Sequence, residues 1–320
     1  MSWTLPTLTI LVGAAVIAPA DTAAQEPFPS KPIEITVLFP AGSSADITAR
    51  LLADGMARQL ATSVIVVNRP GAGGAIGYQA VARKTPDGYS LVWNSNSIST
   101  AYHSGALGFN YEAFDAVSQA LVESPLLAVR SDARWASLAA LLADAKARPK
   151  QITVANSGVG SHTHISAVAL FRTAGVQMVD VPFGAAQVVT SLVQGEVDTA
   201  VQLPAALAEY VKLGQLRLLA TLTAQRDPAF PDTPSAREQG IDVALEAWRG
   251  IAVPKGTPTP VIAALEAAIR KTVESPEFAQ ATRPLGVRPA FLAADAFGER
   301  IAREDAELAR LIELIGLKKS

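Results

Sequence analysis

The stretch Ile35-Thr-Val-Leu-Phe-Pro-Ala-Gly-Ser-Ser-Ala-Asp46 decides the fold, because an apolar run ends within it and small polar residues follow. β-Branched and apolar residues closed by Pro-Ala-Gly predict a strand over 33–39 and then a tight turn. Beyond the turn, apolar residues recur at helical spacing as far as Leu60, which predicts a helix over 46–60. The stretch is therefore predicted to form a strand, a turn and the start of a helix.

The turn in this stretch has the composition of a ligand site. Ser43, Ser44 and Asp46 are residues that favour a helix start. In an open α/β sheet such a turn lies at the carboxyl end of a strand, where free backbone N–H groups and the positive end of the helix dipole attract an anion. An ordinary βα turn without a ligand is the alternative for the turn taken alone.

The composition is that of a globular chain with almost no net charge. Hydrophobic residues make up 49% of the 320 residues, which allows two domains with cores of their own. The 27 basic and 29 acidic residues nearly cancel, and no Lys/Arg cluster offers the basic face that phosphate binding requires. Nucleic acid is therefore not an expected partner.

Residues 1–24 have the pattern of a secretory signal peptide. An apolar run from Leu8 to Ala18 is too short to span a bilayer, and small residues suited to a cleavage site follow it. The segment before the run carries no Lys or Arg, which is atypical of such peptides. The sequence predicts export, with residues 25–320 as the mature chain.

The absence of cysteine excludes disulfides, thiolate metal sites and cysteine nucleophiles. His162 and His164 share a short loop that has no acidic residue, which falls short of a metal site. The glycines of Asn68-Arg-Pro-Gly-Ala-Gly-Gly-Ala-Ile-Gly77 depart from the spacing of a dinucleotide-binding fingerprint. We therefore expect no metal and no cofactor.

A second strand, small-residue loop and helix start lie in the second half of the chain. A strand over 151–155 precedes the loop Asn156-Ser-Gly-Val-Gly-Ser161, and a helix is predicted over 164–174. Alternation of strands with helices is typical of parallel sheets, so the halves are predicted to be α/β domains that face one another across a cleft. The crossings between them are predicted near 126–130 and 248–253, as a hinge.

Ser161 and its neighbouring histidines raise the question of nucleophilic catalysis. The segment Gly158-Val-Gly-Ser161 departs from the nucleophile elbow Gly-x-Ser-x-Gly, and one nearby histidine does not make a triad. Polar side chains that line a loop are the simpler interpretation. An exported α/β hydrolase that uses Ser161 and His164 is an alternative, which turnover of activated esters and its loss in Ser161→Ala would support.

Several motifs occur in the order typical of one family of receptors. They are Lys31 to Asp46, Asn68 to Gly77, Pro86-Asp-Gly-Tyr89, Asn156 to His164, Val181-Pro-Phe183, Gly195-Glu-Val-Asp198 and Pro254-Lys-Gly-Thr-Pro258. Over essentially its whole mature length the chain resembles the Bug family, the TctC-like extracytoplasmic solute receptors of tripartite tricarboxylate transporters. The resemblance implies a periplasmic binding protein that is not an enzyme.

The resemblance also implies a periplasmic-binding-protein type II fold, with two α/β domains and a cleft for small carboxylates between them. The expected division is a signal peptide over 1–24, domain 1 over 25–126 plus 248–320, and domain 2 over 127–247. In the family, backbone N–H groups, hydroxyls and ordered waters hold the carboxylate, so helix starts rather than Arg or Lys are expected to supply the positive potential. The implied ligand-binding residues are Phe39, Ala41, Gly42, Ser43, Asp46, Ser95, Asn96, Ser97, Asn156, Ser157, Gly158, Ser161, His164, Phe183 and Asp198.

Three departures from the family pattern concern the cleft. Gly42-Ser43 stands where the family has two glycines, Val181-Pro-Phe-Gly-Ala185 lacks a hydroxyl and a cation, and Val168 replaces a common glutamate. These differences make the distal part of the cleft less polar. We therefore expect a ligand with an apolar or aromatic body behind its carboxylate, and poor binding of citrate.

The resulting prediction is a monomer that captures a small carboxylate and presents it to the membrane permease subunits of a tripartite tricarboxylate transporter. An alternative is a ligand sensor whose liganded form contacts the sensor kinase of a two-component system. The sequence does not separate the two, although a neighbouring permease gene would.

Overall fold

The computed structural model describes residues 1–3 and 28–317, so the predicted signal peptide lies outside the described residues except for its first three. The strands are β1 (Ile33–Val37), β2 (Val64–Asn68), β3 (Ser90–Ser95), β4 (Phe114–Glu123), β5 (Leu126–Arg130), β6 (Thr153–Asn156), β7 (Val179–Pro182), β8 (Thr199–Gln202), β9 (Leu216–Thr221), β10 (Ala247–Pro254) and β11 (Arg288–Ala293). The α-helices are α1 (Ser44–Leu60), α2 (Ala75–Ala82), α3 (Ser97–His103), α4 (Leu138–Ala147), α5 (His162–Thr173), α6 (Gln187–Gln194), α7 (Pro204–Lys212), α8 (Thr259–Val273), α9 (Pro276–Thr282) and α10 (Ala294–Leu314).

The first sheet has six strands in the order β11-β4-β10-β3-β1-β2. β1 pairs in parallel with β2 and β3, whereas β10 runs antiparallel to β3 and β4. Ile35 of β1 packs with Leu52 of α1 and Leu265 of α8 on one face of the sheet. Phe297 of α10 is part of the core on the other face. Helices on both faces explain why four of the five residues of β1 are buried, the polar Thr36 among them.

The second sheet has five strands in the order β7-β6-β8-β5-β9. β6 pairs in parallel with β7 and β8, and β5 is antiparallel to β8 and β9. Leu138 of α4 and Leu170 of α5 belong to the core on one face. Val188 of α6 and Leu207 of α7 belong to the core on the other. We call the first sheet with its helices the first lobe, and the second sheet with its helices the second lobe.

The chain crosses between the lobes twice, at Ser124-Pro125 and along residues 222–246. In the first sheet Glu123, at the end of β4, pairs with Ala247, at the start of β10. In the second sheet Leu126, at the start of β5, pairs with Gln202, at the end of β8. The carboxyl ends of the parallel strands in both lobes therefore face the crossings, where α/β proteins place their ligands. The domain boundaries at 126 and 248 remain predictions.

The two lobes of mixed α/β structure agree with the predicted fold class. The analysis of the sequence missed β4, β11, α3, α7 and α9. β4 escaped because it buries Ser118, Gln119 and Glu123, so its apolar pattern is weak. In the part of the chain that the structure describes, no helix has the length and apolar content needed to cross a bilayer.

Candidate functional site

A narrow cavity lies between the lobes at the carboxyl ends of the parallel strands. It is lined by Phe39, Ser43, Ser44, Ala45, Ser95, Asn96, Ser97, Ser157, Ser161, His162, Thr163, Ala185, Gln202, Leu203, Ala247 and Arg249. A volume of about 20 Å³ is open to the centre of a water molecule, which is room for roughly one water. A ligand therefore requires the lobes to move apart.

Two glycine loops meet beside this cavity. A Cβ atom on Gly73 of the first lobe would lie 3.0 Å from the carbonyl oxygen of Val159 in the second. A Cβ atom on Gly160 of the second lobe would lie 3.0 Å from the hydroxyl oxygen of Ser104 in the first. Both glycines also have positive φ, 64° for Gly73 and 78° for Gly160, a conformation that other residues rarely adopt. The lobes are therefore in contact at positions where a side chain would hold them apart.

In the first lobe, α1 begins with a serine cap and a buried carboxylate. The Ser43 hydroxyl accepts a hydrogen bond from the backbone N–H of Asp46 (3.3 Å). The Asp46 carboxylate accepts from the Gly42 N–H (3.0 Å), the Arg50 guanidinium (2.8 Å) and the Asn68 amide (3.0 Å). Burial by itself raises the pKa of Asp46, but these hydrogen bonds outweigh it and leave the pKa below its usual value. The charged Asp46 thus offsets the positive end of α1.

In the second lobe, α5 begins in the same way with a histidine in place of the aspartate. The Ser161 hydroxyl accepts from the backbone N–H of His164 (3.2 Å), and His164 Nδ1 accepts from the Gly160 N–H (3.1 Å). Because Nδ1 accepts, the ring proton is on Nε2, which lies 3.4 Å from the Asp180 carboxylate. The first turn of α5 contains no acidic residue. Its positive end is therefore not offset as that of α1 is.

The two helix starts share a sequence pattern as well as a geometry. Gly42-Ser-Ser-Ala-Asp-Ile-Thr48 aligns without a gap on Gly160-Ser-His-Thr-His-Ile-Ser166. The two glycines have the same φ of 78°. The hydroxyls of Thr48 and Ser166 donate to the carbonyl oxygens four residues earlier, at 2.7 and 2.8 Å. One local structure is thus used once in each lobe, facing the same cavity.

Arg249 is the charged side chain of the cavity wall and is only 3% exposed. Its Nε donates to the fully buried Glu123 (2.6 Å), and the Ser44 hydroxyl donates to the other carboxylate oxygen. Glu123 ends β4 and Arg249 lies near the start of β10, so the ion pair joins the two strands at the crossings. Helix starts rather than Arg or Lys were expected to supply the positive potential of the cleft, and the structure places one arginine on its wall as well. Arg249 lies within a strand that is otherwise apolar and buried throughout, so the sequence pattern of β10 did not indicate a cation in the cleft.

His162 lies on the wall beside this arginine. Burial, and secondarily the charge of Arg249, lower the pKa of His162 to about 3. His162 is therefore neutral near pH 7. It adds a polar ring to the cavity but no charge.

Two side-chain amides hold the remaining loops in place. Asn96 accepts from the backbone N–H of Trp248 (2.9 Å) and donates to the Glu304 carboxylate (2.8 Å). Gln202 donates to the Ser157 hydroxyl (3.1 Å). The loop after β3 is thereby tied to β10 and α10, and the loop after β6 is tied to β8.

The predicted ligand-binding residues fall into two groups. The structure brings Phe39, Ser43, Ser95, Asn96, Ser97, Ser157 and Ser161 together on the cavity wall. It places Ala41, Gly42, Asp46, Asn156, Gly158, His164, Phe183 and Asp198 off that wall. Contact of the first group with a ligand remains a prediction.

Residues of the second group support the loops instead. Asp198 accepts from the backbone N–H of Thr153 (2.9 Å), which joins β8 to β6. Asn156 donates to Asp180 (2.5 Å), and Phe183 packs against the core of the second lobe. Asp46 and His164 accept hydrogen bonds within their own loops. These side chains are used in shaping the site, which is why they do not line it.

Nine wall residues were absent from the predicted set: Ser44, Ala45, His162, Thr163, Ala185, Gln202, Leu203, Ala247 and Arg249. Alignment of the two helix starts pairs Ser44 with His162, so the sequence already indicated that these two residues occupy equivalent positions. An arginine inside the apolar run of β10 is a second signal, because buried arginine is rare unless it is paired. No sequence signal marks Gln202.

The geometry does not favour the hydrolase alternative. The Ser161 hydroxyl bonds to the backbone N–H of His164 and to the Thr163 hydroxyl (3.2 Å). Among the described residues no imidazole is hydrogen-bonded to the Ser161 hydroxyl, so the nucleophile has no base. Within 28–317 the structure also holds no group of three His, Asp or Glu side chains suited to a metal ion.

Comparison with known proteins decides the family. The model of the tripartite tricarboxylate transporter family receptor matches residues 48–317. The chain belongs to this receptor family. It is 31% identical to protein BugT of Bordetella pertussis, over 99% of each chain. This confirms the predicted Bug/TctC-like family.

Solved structures of such receptors have the same fold. The periplasmic binding protein BugD superposes with a TM-score of 0.87 at 27% identity, over 92% of this chain and all of BugD. MatC from Rhodopseudomonas palustris, solved with bound malate, has a TM-score of 0.83 at 25% identity, over 89% of this chain and all of MatC. The predicted periplasmic-binding-protein fold is confirmed. The receptor family and its structural neighbours are binding proteins.

Proposed function

We propose that this receptor binds a small carboxylate in the cleft between its lobes. One observation carries the proposal: the buried Arg249 faces a cavity whose other polar groups are hydroxyls, amides and a neutral imidazole. Arginine is well suited to a carboxylate because its planar fork can donate two parallel hydrogen bonds. The malate bound in MatC supports a carboxylate as the ligand class.

The setting that fits this activity is the periplasm, with the membrane permease subunits of a tripartite tricarboxylate transporter as the partner. The signal-peptide pattern of residues 1–24 and membership of the receptor family support this assignment. We further propose that the receptor is a monomer and that its two domains divide at residues 126 and 248. A sensor role would use the same cleft.

The body of the ligand is proposed to be apolar or aromatic. Phe39, Ala45, Ala185, Leu203 and Ala247 contribute an apolar part to the wall. Burying such a body contributes roughly 25 cal/mol per Å² of apolar surface. Citrate has three carboxylates and no apolar body, so it is expected to bind poorly.

The proposal is tested by thermal unfolding of the chain from residue 25, with a panel of aliphatic, aromatic and amino-acid carboxylates and citrate. An acid at about one hundred times its Kd stabilises the folded state by roughly 2.7 kcal/mol. A rise in Tm with one class of acid, and no turnover of activated esters, is expected. An unchanged Tm with every acid would contradict the proposal.

A further inference from the structure

The wall of the cavity contains a single formally charged group among the described residues, the guanidinium of Arg249. Glu123, its partner, is fully buried behind the wall and does not line the cavity. Together the two side chains carry no net charge. The charge that a ligand meets at the surface of the cavity is therefore positive and confined to one place.

The Arg249 guanidinium is held in a fixed orientation. Glu123 accepts from its Nε, and Ser44 of the first lobe donates to the second oxygen of Glu123. Within residues 28–317 the two terminal nitrogens of Arg249 have no hydrogen-bond partner in the protein. An ion pair made through Nε leaves these nitrogens as a planar pair of donors, the geometry that one carboxylate accepts.

In the described part of the chain, no second side-chain cation lines this cavity; Arg226 and Arg288 line the adjoining open cavity instead. His162 is neutral, and the positive end of α1 is offset by the charged Asp46. The start of α5 remains, with about half a positive charge. The remaining wall residues are neutral, and a buried carboxylate without a charged partner loses solvation that neutral donors replace only in part.

We infer that the cleft selects monocarboxylates, and that Arg249, positioned by Glu123 and Ser44, is the residue that imposes this selection by binding the single carboxylate through its terminal nitrogens. The inference rests on the proposed function, since it concerns the same cleft. The second carboxylate of a dicarboxylate finds no second side-chain cation on this wall, whose other residues are neutral and include the apolar Phe39, Ala185 and Leu203. Arg249 therefore determines both the affinity for a carboxylate and the number of carboxylate groups that a ligand can carry.

The test is calorimetric titration of the chain from residue 25 with matched pairs of acids: butanoate and succinate, hexanoate and adipate, 2-hydroxybutanoate and malate, benzoate and phthalate. In each pair that binds, the monocarboxylate is expected to bind at least about tenfold more tightly, because a buried unpaired charge costs more than 1.4 kcal/mol. Equal or tighter binding of the dicarboxylate would overturn the inference. Binding of no acid at all would overturn the proposed function itself.

Variants assign the selection to Arg249. Arg249→Lys keeps the charge but loses the planar pair of donors, so its affinity for the bound monocarboxylate is expected to fall about tenfold or more. The double variant Glu123→Gln with Arg249→Gln removes both buried charges together, and its affinity is expected to fall about one-hundredfold. Both variants are expected to lose preference for the monocarboxylate over its dicarboxylate partner.

The matched control is Arg130→Gln, which removes a partly exposed arginine paired with Asp132 at the far end of β5. Its affinities are expected to equal those of the unmodified chain. Far-ultraviolet circular dichroism and Tm establish that each variant is folded before titration. If Arg249→Lys and the folded double variant keep both affinity and preference, the role of Arg249 is overturned while the carboxylate receptor stands. If the double variant does not fold, Arg249→Lys alone decides.

Discussion

The starts of α1 and α5 have the same local backbone geometry, but only α1 has a carboxylate in its first turn. Each begins after a glycine with φ of 78°, is capped by a serine, and has its third side chain accepting the N–H of that glycine. In α1 the accepting group is the charged Asp46, whereas in α5 it is the imidazole of His164. The comparison teaches that local geometry alone does not make an anion site, because an acidic side chain in the first turn can neutralise it.

The same comparison explains why the positive charge of the first lobe is on Arg249 rather than at the start of α1. Since Asp46 offsets the positive end of α1, the first lobe contributes its positive charge through Arg249 on β10. Ser44, the first residue of α1, holds Glu123 and so helps to orient that arginine. The second lobe contributes the less neutralised start of α5. Each lobe thus offers one source of positive potential to the cleft.

The largest expected effect is that of removing the carboxylate at the start of α1. Asp46→Ala deprives Gly42, Arg50 and Asn68 of their acceptor, so the free energy of unfolding should fall by about 3 kcal/mol, from several hydrogen bonds to a charged group. Urea unfolding measures the change. Asp54→Ala, an exposed aspartate on the same helix, is the control and should change it by less than about 0.5 kcal/mol. Equal effects of the two substitutions would show that the hydrogen bonds of Asp46 do not stabilise the folded protein.

The second prediction separates the two helix starts by pH. The pKa of His162 is lowered to about 3 in the folded protein, so the unfolded chain binds more protons between that pH and roughly 6.5. Stability is therefore expected to fall as the pH drops through this range, by up to about 1.4 kcal/mol per pH unit. Asp46 affects stability in a different pH range. Because its pKa is lowered in the folded protein, its contribution to the free energy of unfolding is fully present above the usual aspartate pKa and is lost only in stronger acid.

Urea unfolding from pH 7 to pH 4 checks this prediction. His162→Gln removes the titrating ring from the second helix start and should flatten the slope between pH 6 and pH 4, whatever its effect on stability at pH 7. An identical slope in His162→Gln and in the unmodified chain would contradict the assignment of the loss to His162.

The smallest expected effect tests the likeness of the two starts. Ser43→Ala and Ser161→Ala each remove a cap of the same geometry, so each should lower the free energy of unfolding by about 1 kcal/mol. Ser137→Ala, at the cap of α4, should cost a similar amount. Because Ser43 and Ser161 line the cavity and Ser137 does not, only the first two should weaken binding of the stabilising acid. Unequal losses for Ser43→Ala and Ser161→Ala would break the likeness.

The sequence predicted those elements whose stability is local. The first strand and helix, predicted over 33–39 and 46–60, occur at Ile33–Val37 and Ser44–Leu60 because apolar spacing and helix-start residues mark them. The two cleft loops were found because Gly, Ser and helix-start residues follow strands. β4 was missed because its buried polar residues obtain partners from distant parts of the chain, as Glu123 does from Arg249, which is 126 positions away. Such pairing is a property of the folded chain.

Asp46 and His164, which the sequence predicted as ligand-binding residues, lie off the cavity wall for a related reason. Both are polar residues at helix starts beside the cleft, the pattern that indicates an anion site. Their side chains turn back and accept hydrogen bonds from the N–H groups of Gly42 and Gly160, both of which have φ of 78°. The neighbours Ser44 and His162 lie on the wall instead.

Hydrogen exchange at the two helix starts tests the central claim most directly. Amide exchange of residues 42–48 and 160–166 would be measured by mass spectrometry in the chain from residue 25, with and without a saturating amount of the acid that raises its Tm most. A carboxylate held between the lobes is expected to slow exchange in both segments, while residues 138–147 of α4 keep their rates. Slower exchange in only one segment, or in neither, would contradict a ligand site shared by the two lobes.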